Sequence, residues 1–330
     1  MDDDLRDLVQ TFRQASSNTS DTPAWTNATV IDRLSAKIRN SSPADLADIL
    51  PFLTAPLITV IESTDPAVQH QGLVLLAHAV HTLPPAVLRR SNRAGLFWDL
   101  VTRILAAKQA TTWTRKHADV VDAGVAVALD LVRVRHARDE NGRLWQADAE
   151  TVLNRALAAL ETAASGSQTA AAQDVGARFA WTRATRTVLI ALGPVLALRS
   201  TARALASLCH PLISPRGQAE VRDLQLLALT TVINVYLAPA DLSGAPAPPV
   251  IAEAPRLLAA FGHWWAHASE EERVGEVGVL VRRAWEVLGP RYPNPVDLDA
   301  VRAVFGPAVD GLLLVSEESK KGDLKAAVVV

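Results

Sequence analysis

The chain has 330 residues, of which 49% are apolar and 5% are aromatic. Its 33 Lys and Arg residues nearly balance its 35 Asp and Glu residues, which leaves a formal net charge of -2. Such a chain has no global field that would attract nucleic acid or anionic lipid, so we expect neither as a partner. Ala, Leu and Val supply most of the apolar bulk, which favours helices over sheets.

A single cysteine, Cys209, excludes an internal disulfide and a cluster of thiolate metal ligands. We therefore expect a reducing compartment, the cytoplasm or the nucleus. Cys209 lies in an apolar segment, which favours a buried small side chain over a reactive thiolate. Residues 1–4 are acidic where a signal peptide would be basic. No apolar run reaches the roughly 18 residues that a membrane span needs, so we expect no membrane partner.

Helix starts are marked along the chain by a capping residue directly before a proline. Proline at the first helical position loses no hydrogen bond, because that N–H has no partner within the helix. Ser269 and Glu272 also have the spacing of a capping box. The proline-marked starts are Thr22-Pro23, Ser42-Pro43, Asp65-Pro66, Ser214-Pro215 and Asn294-Pro295.

Apolar residues recur at the helical period after these starts. Segment 119–134 has one apolar stripe, followed by a basic stretch and the turn pair Asn141-Gly142, which is typical of a helix end. Segments 277–288 and 298–312 have the same kind of stripe. Segment 224–236 is apolar on nearly all sides, as expected of a helix between neighbours. No segment alternates with period two, so the sequence predicts an all-α fold.

The domain organisation follows from the places where a helix cannot continue. The length suits either two average domains or one elongated array of helix pairs with a continuous core. We predict a helical-repeat array over residues 1–241 and a loop rich in proline, alanine and glycine over 242–250. A carboxy-terminal helical cap that continues the array should cover 251–315, and a flexible tail should cover 316–330.

Segment 50–80 has the layout of one HEAT unit. An apolar first helix ends at a break, Thr64-Asp65-Pro66, and a second helix follows with Gly72 and Leu76 on its apolar face. Neither helix can bury its stripe alone, so each pair must stack on the next. The sequence thus predicts a HEAT/armadillo-like α-solenoid of stacked antiparallel helix pairs. Gln69 occupies a position where the HEAT pattern usually has arginine, so we expect Gln69→Arg to be tolerated.

Two adjacent segments carry a family resemblance. Residues 65–76 contain the core Gly-Leu-Val-Leu-Leu, and residues 88–97 read Leu-Arg-Arg-Ser-Asn-Arg-Ala-Gly-Leu-Phe. This order, a helix with a Gly-Leu-x-Leu-Leu core, a Leu-Arg-Arg element, a short loop and a helix opening with an apolar-aromatic pair, resembles the Tti-two subunit family of the TTT cochaperone complex. The resemblance is best over 50–105 and extends to about residue 290.

The resemblance implies a HEAT-like scaffold that joins the Tel-two and Tti-one subunits of that complex. It also implies an indirect partnership with chaperones and with large phosphatidylinositol-3-kinase-related kinases. The complex helps the chaperones to mature these kinases. No catalytic step belongs to such a role.

One set of candidate binding residues lies in the tryptophan-rich segment 263–267. His263 and His267 are four residues apart on a predicted helix and could face one metal ion, but two ligands do not make a site. Trp264 and Trp265 between them indicate core packing or a protein-binding surface. We predict protein binding for all four side chains and no metal or other cofactor. Because neighbouring helical residues face different ways, one of the two tryptophans is expected to face the core.

The densest basic group lies at Arg89, Arg90 and Arg93, close in sequence to Trp98. Arginine and tryptophan are enriched at protein interfaces, so this group suits an acidic helix of a partner. The competing interpretation is a solvated basic face beside a core Trp98.

The leading functional hypothesis is therefore a non-enzymatic protein-binding scaffold. The alternative is an all-α enzyme or small-molecule carrier with a pocket between helices, lined by His263, His267 or Asp122. An exposed groove or apolar patch would favour the scaffold, whereas a deep polar-lined cavity would favour the alternative.

Overall fold

A computed structural model describes residues 3–17, 28–108, 113–139, 142–164, 175–213, 219–237, 247–288 and 303. In these ranges the chain forms fifteen α-helices and no β-strand, which confirms the predicted all-α class. The predicted starts at residues 22–23, 214–215 and 294–295 and the tail 316–330 lie outside the described residues, as does the predicted helix 298–312 apart from residue 303.

The first eight helices are α1 (Asp3–Ser17), α2 (Ala28–Asn40), α3 (Pro43–Ile61), α4 (Pro66–Thr82), α5 (Pro85–Arg90), α6 (Arg93–Ala107), α7 (Arg115–Arg135) and α8 (Arg143–Ala164). The remaining seven are α9 (Val175–Ala197), α10 (Thr201–Ile213), α11 (Ala219–Val232), α12 (Pro248–Ala252), α13 (Ala254–His267), α14 (Glu270–Val274) and α15 (Glu276–Leu288). A 3₁₀ turn, Leu198–Ser200, follows α9, and a π-helical turn, Ile233–Leu237, follows α11.

The chain divides into two compact units, unit 1 (Met1–Arg155) and unit 2 (Ala156–Val330), so the division falls inside α8. The predicted loop over 242–250 is too long at its carboxyl end, because α12 begins at Pro248. Pro248 and Pro249 occupy the first two helical positions, where a missing N–H costs no hydrogen bond. The last two prolines of this proline-rich run therefore mark a helix start.

Local capping explains where several helices begin. The Ser42 hydroxyl accepts a hydrogen bond from the Asp45 N–H at 3.2 Å, and the Asp65 carboxylate accepts one from the Ala67 N–H at 2.9 Å. Ser269 and Glu272 form the predicted capping box, with each side chain bonded to the other residue's backbone N–H. These side chains satisfy N–H groups that the first turn leaves without partners.

In unit 1, α3 and α4 pack closely across a four-residue connection, as the HEAT-like segment predicted. The amide of Gln69 is buried and donates a hydrogen bond to the Ile61 carbonyl at 2.8 Å. A Cβ atom added at Gly72 would lie 2.8 Å from the Ile61 side chain and 2.9 Å from its backbone nitrogen, so only glycine fits this approach. Leu76 is fully buried in the same face.

The next large pair in unit 1 is α6 and α7, and α7 also packs against α4. Two long side chains link α6 to α3. Arg93 donates to the Thr54 hydroxyl at 3.0 Å, and Arg103 pairs with Glu62. Thr54 lies in α3 and Glu62 directly follows it, so the two links advance in the same direction along α3 and α6.

In unit 2, α11 lies among α9, α10 and α15, as the all-round apolar pattern of segment 224–236 predicted. A buried polar chain joins three helices at this point. The Trp264 indole N–H on α13 donates to the Gln225 carbonyl oxygen at 3.2 Å, and the Gln225 amide donates to the Pro211 carbonyl at 3.1 Å. These bonds satisfy polar groups that burial would otherwise leave without partners.

Among the described residues, α3 is a helix long and apolar enough to cross a membrane, with a mean hydropathy of 1.6. The helix contains Asp45 and Asp48, so it is not an uninterrupted apolar run of that length. Seven of its residues are buried, and the helix packs against α1, α2 and α4 within unit 1. Core helices pass the same test of length and composition, so α3 is weak evidence for a membrane span.

Candidate protein-binding surfaces

The three arginines of the predicted basic group have different environments. Arg89 is half-buried and donates a hydrogen bond to the Val134 carbonyl at 3.4 Å, and Arg93 is held by Thr54. Arg90 is exposed and makes no hydrogen bond or ion pair within the described part of the chain. Arg90 is therefore the guanidinium best placed to meet a partner, whereas Arg89 and Arg93 also join helices of unit 1.

Trp98 does not belong to the surface that the sequence predicted. It is 7% exposed, and the Arg135 guanidinium lies over its ring at 5.2 Å from the centroid. Arg135 and His136 both contact one oxygen of Asp148 at 2.7 Å, which ties the end of α7 to α8. The burial of Trp98 fits the competing interpretation of a core side chain, and a binding role for it stays a prediction.

Trp264 and Trp265 are both buried, at 1% and 4% exposure. The sequence predicted that one of the two would face the core and left the other as a candidate for the binding surface. Trp265 is instead covered by Arg273 and Arg282, whose guanidinium carbons lie 6.0 Å and 5.7 Å from its ring centroid. Both tryptophans are buried in unit 2, and a binding role for them stays a prediction.

His263 and His267 stack on one another, with ring centroids 4.4 Å apart. The Nδ1 atom of His267 lies 2.8 Å from the His263 carbonyl oxygen, so that nitrogen donates to the backbone and is not free to ligate. His263 is half-buried and His267 is exposed. No group of three or more metal-ligating side chains occurs among the described residues. A binding role for the two histidines stays a prediction.

The other reactive candidates are placed as follows. Cys209 is buried, and burial raises the pKa of its thiol to about 12, which keeps it protonated as the sequence predicted. Asp122 is half-buried on α7 of unit 1, whereas both histidines of the alternative pocket belong to unit 2.

A groove that the sequence did not predict lies between α2 and α4 of unit 1. It has a volume of about 390 Å³. Residues of both helices form its floor and rim: Ile31, Asp32, Ser35, Arg39, His70, Gln71, Val74 and Leu75. No local sequence signal could have found it, because the polar positions of α2 read as the solvent face of any amphipathic helix.

The sequence of this chain matches one protein-family model. The model for the Tti2 family, the family of the Tti-two subunit, matches residues 5–171, which is half of the chain. This chain belongs to the Tti2 family. No curated protein and no solved structure gives a significant match.

The Tti2 family match includes the described part of unit 1 from Leu5 onward. The basic group on α5 and α6 and the groove between α2 and α4 therefore lie in the part of the chain that carries the family's pattern. The tryptophan-rich helix α13 lies outside it.

Proposed function

We propose that this chain is a non-enzymatic protein-binding scaffold of a TTT-type cochaperone complex. Its direct partners would be Tel-two-like and Tti-one-like subunits, and its indirect partners chaperones and large phosphatidylinositol-3-kinase-related kinases. The observation that carries the proposal is membership of the Tti2 family over residues 5–171. The mechanism is positioning of other chains, with no chemical step and no metal or cofactor.

The helix packing of unit 1 supports a HEAT-like stack as the framework of this scaffold. The pairs α3–α4 and α6–α7 follow one another, α4 packs on α7, and α3 runs beside α6 in the same direction. Such an arrangement repeats one helix pair and offers rows of equivalent helices to a partner. We extend this proposal to the array over 1–241 and to its continuation over 251–315.

We place the protein in the cytoplasm or nucleus on the basis of its cysteine usage. The only thiol, Cys209, is buried in an apolar setting and has no second cysteine to pair with. A reducing compartment suits such a chain.

Reconstitution of the complex tests the proposed function. The purified full chain is mixed with the Tel-two-like and Tti-one-like subunits of the same organism, and the mass of the product is measured by size-exclusion chromatography with light scattering. We expect a stable assembly that contains all three chains. Separate elution of the folded chain would overturn the scaffold role, and stoichiometric retention of a small molecule would favour the carrier alternative.

A substitution at Arg90 tests whether this one side chain contributes to assembly. Arg90→Glu should weaken assembly at least tenfold because it reverses an exposed, unpaired charge, and it should leave the melting temperature unchanged. Arg115→Glu, at an exposed position of α7, is the matched control. Equal affinities for Arg90→Glu and the control would remove the basic group from the binding surface.

A further inference from the structure

The side chain of Lys108 is a buried cation without a counter-charge. Lys108 directly follows α6 and is 8% exposed. Its ammonium group makes no hydrogen bond or ion pair within the part of the chain that the structure describes. Lysine is almost never buried to this extent unless it is paired, because removal of a charge from water costs free energy that a partner must offset. Lys108 therefore needs an anion that the described residues do not supply.

A second buried polar group, the imidazole of His117, lies close to Lys108. His117 belongs to the first turn of α7 and is 9% exposed. Burial, and then the charge of Lys108, lower the pKa of His117, so the two side chains are near enough to repel one another when both are charged. No carboxylate among the described residues contributes to the pKa shift of either group. The pair is thus a concentration of positive charge without an acidic neighbour.

Hydrogen bonding determines which nitrogen of His117 is available. The Nδ1 atom accepts a hydrogen bond from the Thr114 N–H at 3.0 Å. A neutral imidazole that accepts through Nδ1 carries its proton on Nε2. The Nε2–H group has no acceptor in the described ranges, so it can donate to a ligand. The Trp113 ring, with its centroid 5.7 Å from that of His117, covers the imidazole and strengthens electrostatic interactions there by excluding water.

The amino-terminal end of α7 adds a third source of positive potential. The helix has 21 residues and begins at Arg115. The N–H groups of a first turn have no partners within the helix, and the helix dipole favours an anion beside them. The first turn of α7 contains no acidic residue and reads Arg-Lys-His. The usual local neutralisation of a helix start is therefore missing where Lys108 and His117 are buried.

We propose that Lys108, the Nε2–H group of His117 and the first-turn N–H groups of α7 bind a phosphate ion. Phosphate carries the negative charge that Lys108 lacks, and it presents more acceptor oxygens to these donors than a carboxylate does. The burial of Lys108 and His117 limits the ligand to a small ion. This site lies within unit 1 and does not depend on the proposed scaffold function.

Calorimetric titration of the full chain with inorganic phosphate, at constant ionic strength, tests the proposal. We expect saturable binding of one phosphate per chain. Lys108→Met removes the charge and keeps a long unbranched side chain, so the affinity for phosphate should fall at least about tenfold. Lys37→Met, on α2, is the matched control and should bind phosphate as the unaltered chain does.

Thermal unfolding separates a lost site from a lost fold. Without phosphate, Lys108→Met should melt no lower than the unaltered chain, because it removes an unpaired buried charge. Phosphate should raise the melting temperature of the unaltered chain above its value in chloride of equal ionic strength, and it should not raise that of Lys108→Met. A second measurement needs no variant, since phosphate should shift the NMR resonances of the His117 imidazole in a saturable way.

Three results would overturn the proposal. The first is a folded chain that does not bind inorganic phosphate. The second is equal affinity in Lys108→Met and the unaltered chain, or unmoved His117 resonances at saturation, which would mean an adventitious ion only. The third is an equal response to acetate, which would assign the site to a carboxylate in place of phosphate.

Discussion

At the scale of single residues, the side chain of Gln69 is a buried polar group where α4 packs on α3. The HEAT pattern suggested that arginine would be tolerated there, but the amide is 5% exposed and bonds the Ile61 carbonyl. An arginine would bury a charge where Gln69 has a backbone carbonyl and no carboxylate as its partner within the described residues. We now expect Gln69→Arg to lower the free energy of unfolding by about 2–4 kcal/mol.

Urea unfolding of Gln69→Arg measures this effect, and Gln71→Arg, an exposed position two residues later, is its control. The control should unfold at nearly the urea concentration of the unaltered chain. Coincident midpoints for the two variants would restore the tolerance that the sequence pattern suggested.

The imidazoles of His117, which is buried, and His210, which is half-buried, predict how stability depends on pH. Burial, and then the charge of Arg178, hold the pKa of His210 below its ordinary value. Burial and then Lys108 do the same to the pKa of His117, against a raising effect of the Thr114 hydrogen bond. The unfolded chain therefore takes up these protons first, so stability should fall as the pH drops below about 6.5.

The variant His210→Gln should make that loss of stability shallower, because it removes one of the two groups. The free energy of unfolding measured between pH 8 and pH 5 gives the slope, with His267→Gln at an exposed position as the control. An equally steep loss in His210→Gln would show that this imidazole does not stay neutral in the folded chain.

Residue types alone could not separate core from interface. Trp98, Trp264 and Trp265 suited both roles, since a large ring stabilises a core and a binding surface equally well. Their burial depends on side chains distant in sequence, such as Arg135 over Trp98. Cys209 was easier to predict, because an apolar segment around a lone cysteine is itself local evidence of burial.

At the scale of helices, the α3–α4 pair is the element whose packing the sequence predicted best. Leu76 is fully buried, so Leu76→Ala should lower the free energy of unfolding by about 2–5 kcal/mol. Leu96→Ala, at a leucine that is 45% exposed, should change it by less than about 1 kcal/mol. Denaturant titration of both variants checks the difference, and equal losses would contradict the assigned core face.

Gly72 tests the closeness of the same pair from the other direction. Its position is close to Ile61, and a Cβ there would meet backbone and side chain at less than 3 Å. Gly72→Ala should therefore destabilise the chain by about 1–3 kcal/mol, even though alanine favours helices. Thermal unfolding provides the measurement. A stabilised Gly72→Ala variant would mean that α3 and α4 are farther apart than described.

Helix starts could be predicted where one local side chain decides them. Ser42, Asp65 and Ser269 cap the helices that follow, as their spacing indicated. The groove between α2 and α4 could not be predicted, because it depends on how two helices pack across about 40 residues of sequence. Rules of spacing describe one helix and not the space between two.

At the scale of the whole molecule, composition and periodicity were sufficient for the all-α class, and the family came from the resemblance of residues 65–76 and 88–97. They were not sufficient for the division into compact units. The boundary falls inside α8, a segment without glycine or proline, so no breaker marks it. We predicted the boundary at the proline-rich segment near residue 245, because residues that end helices, such as proline and glycine, are the only boundary signal that a single sequence offers.

The central claim, that the chain works by holding other proteins together, is tested most directly by purification from its own cells. The tagged full-length chain is isolated under mild conditions, and the co-purifying chains are identified by mass spectrometry and quantified. We predict recovery of a Tel-two-like and a Tti-one-like subunit in near-equal amounts with the tagged chain. Isolation of a folded chain without either subunit, when both are present in the lysate, would contradict the account.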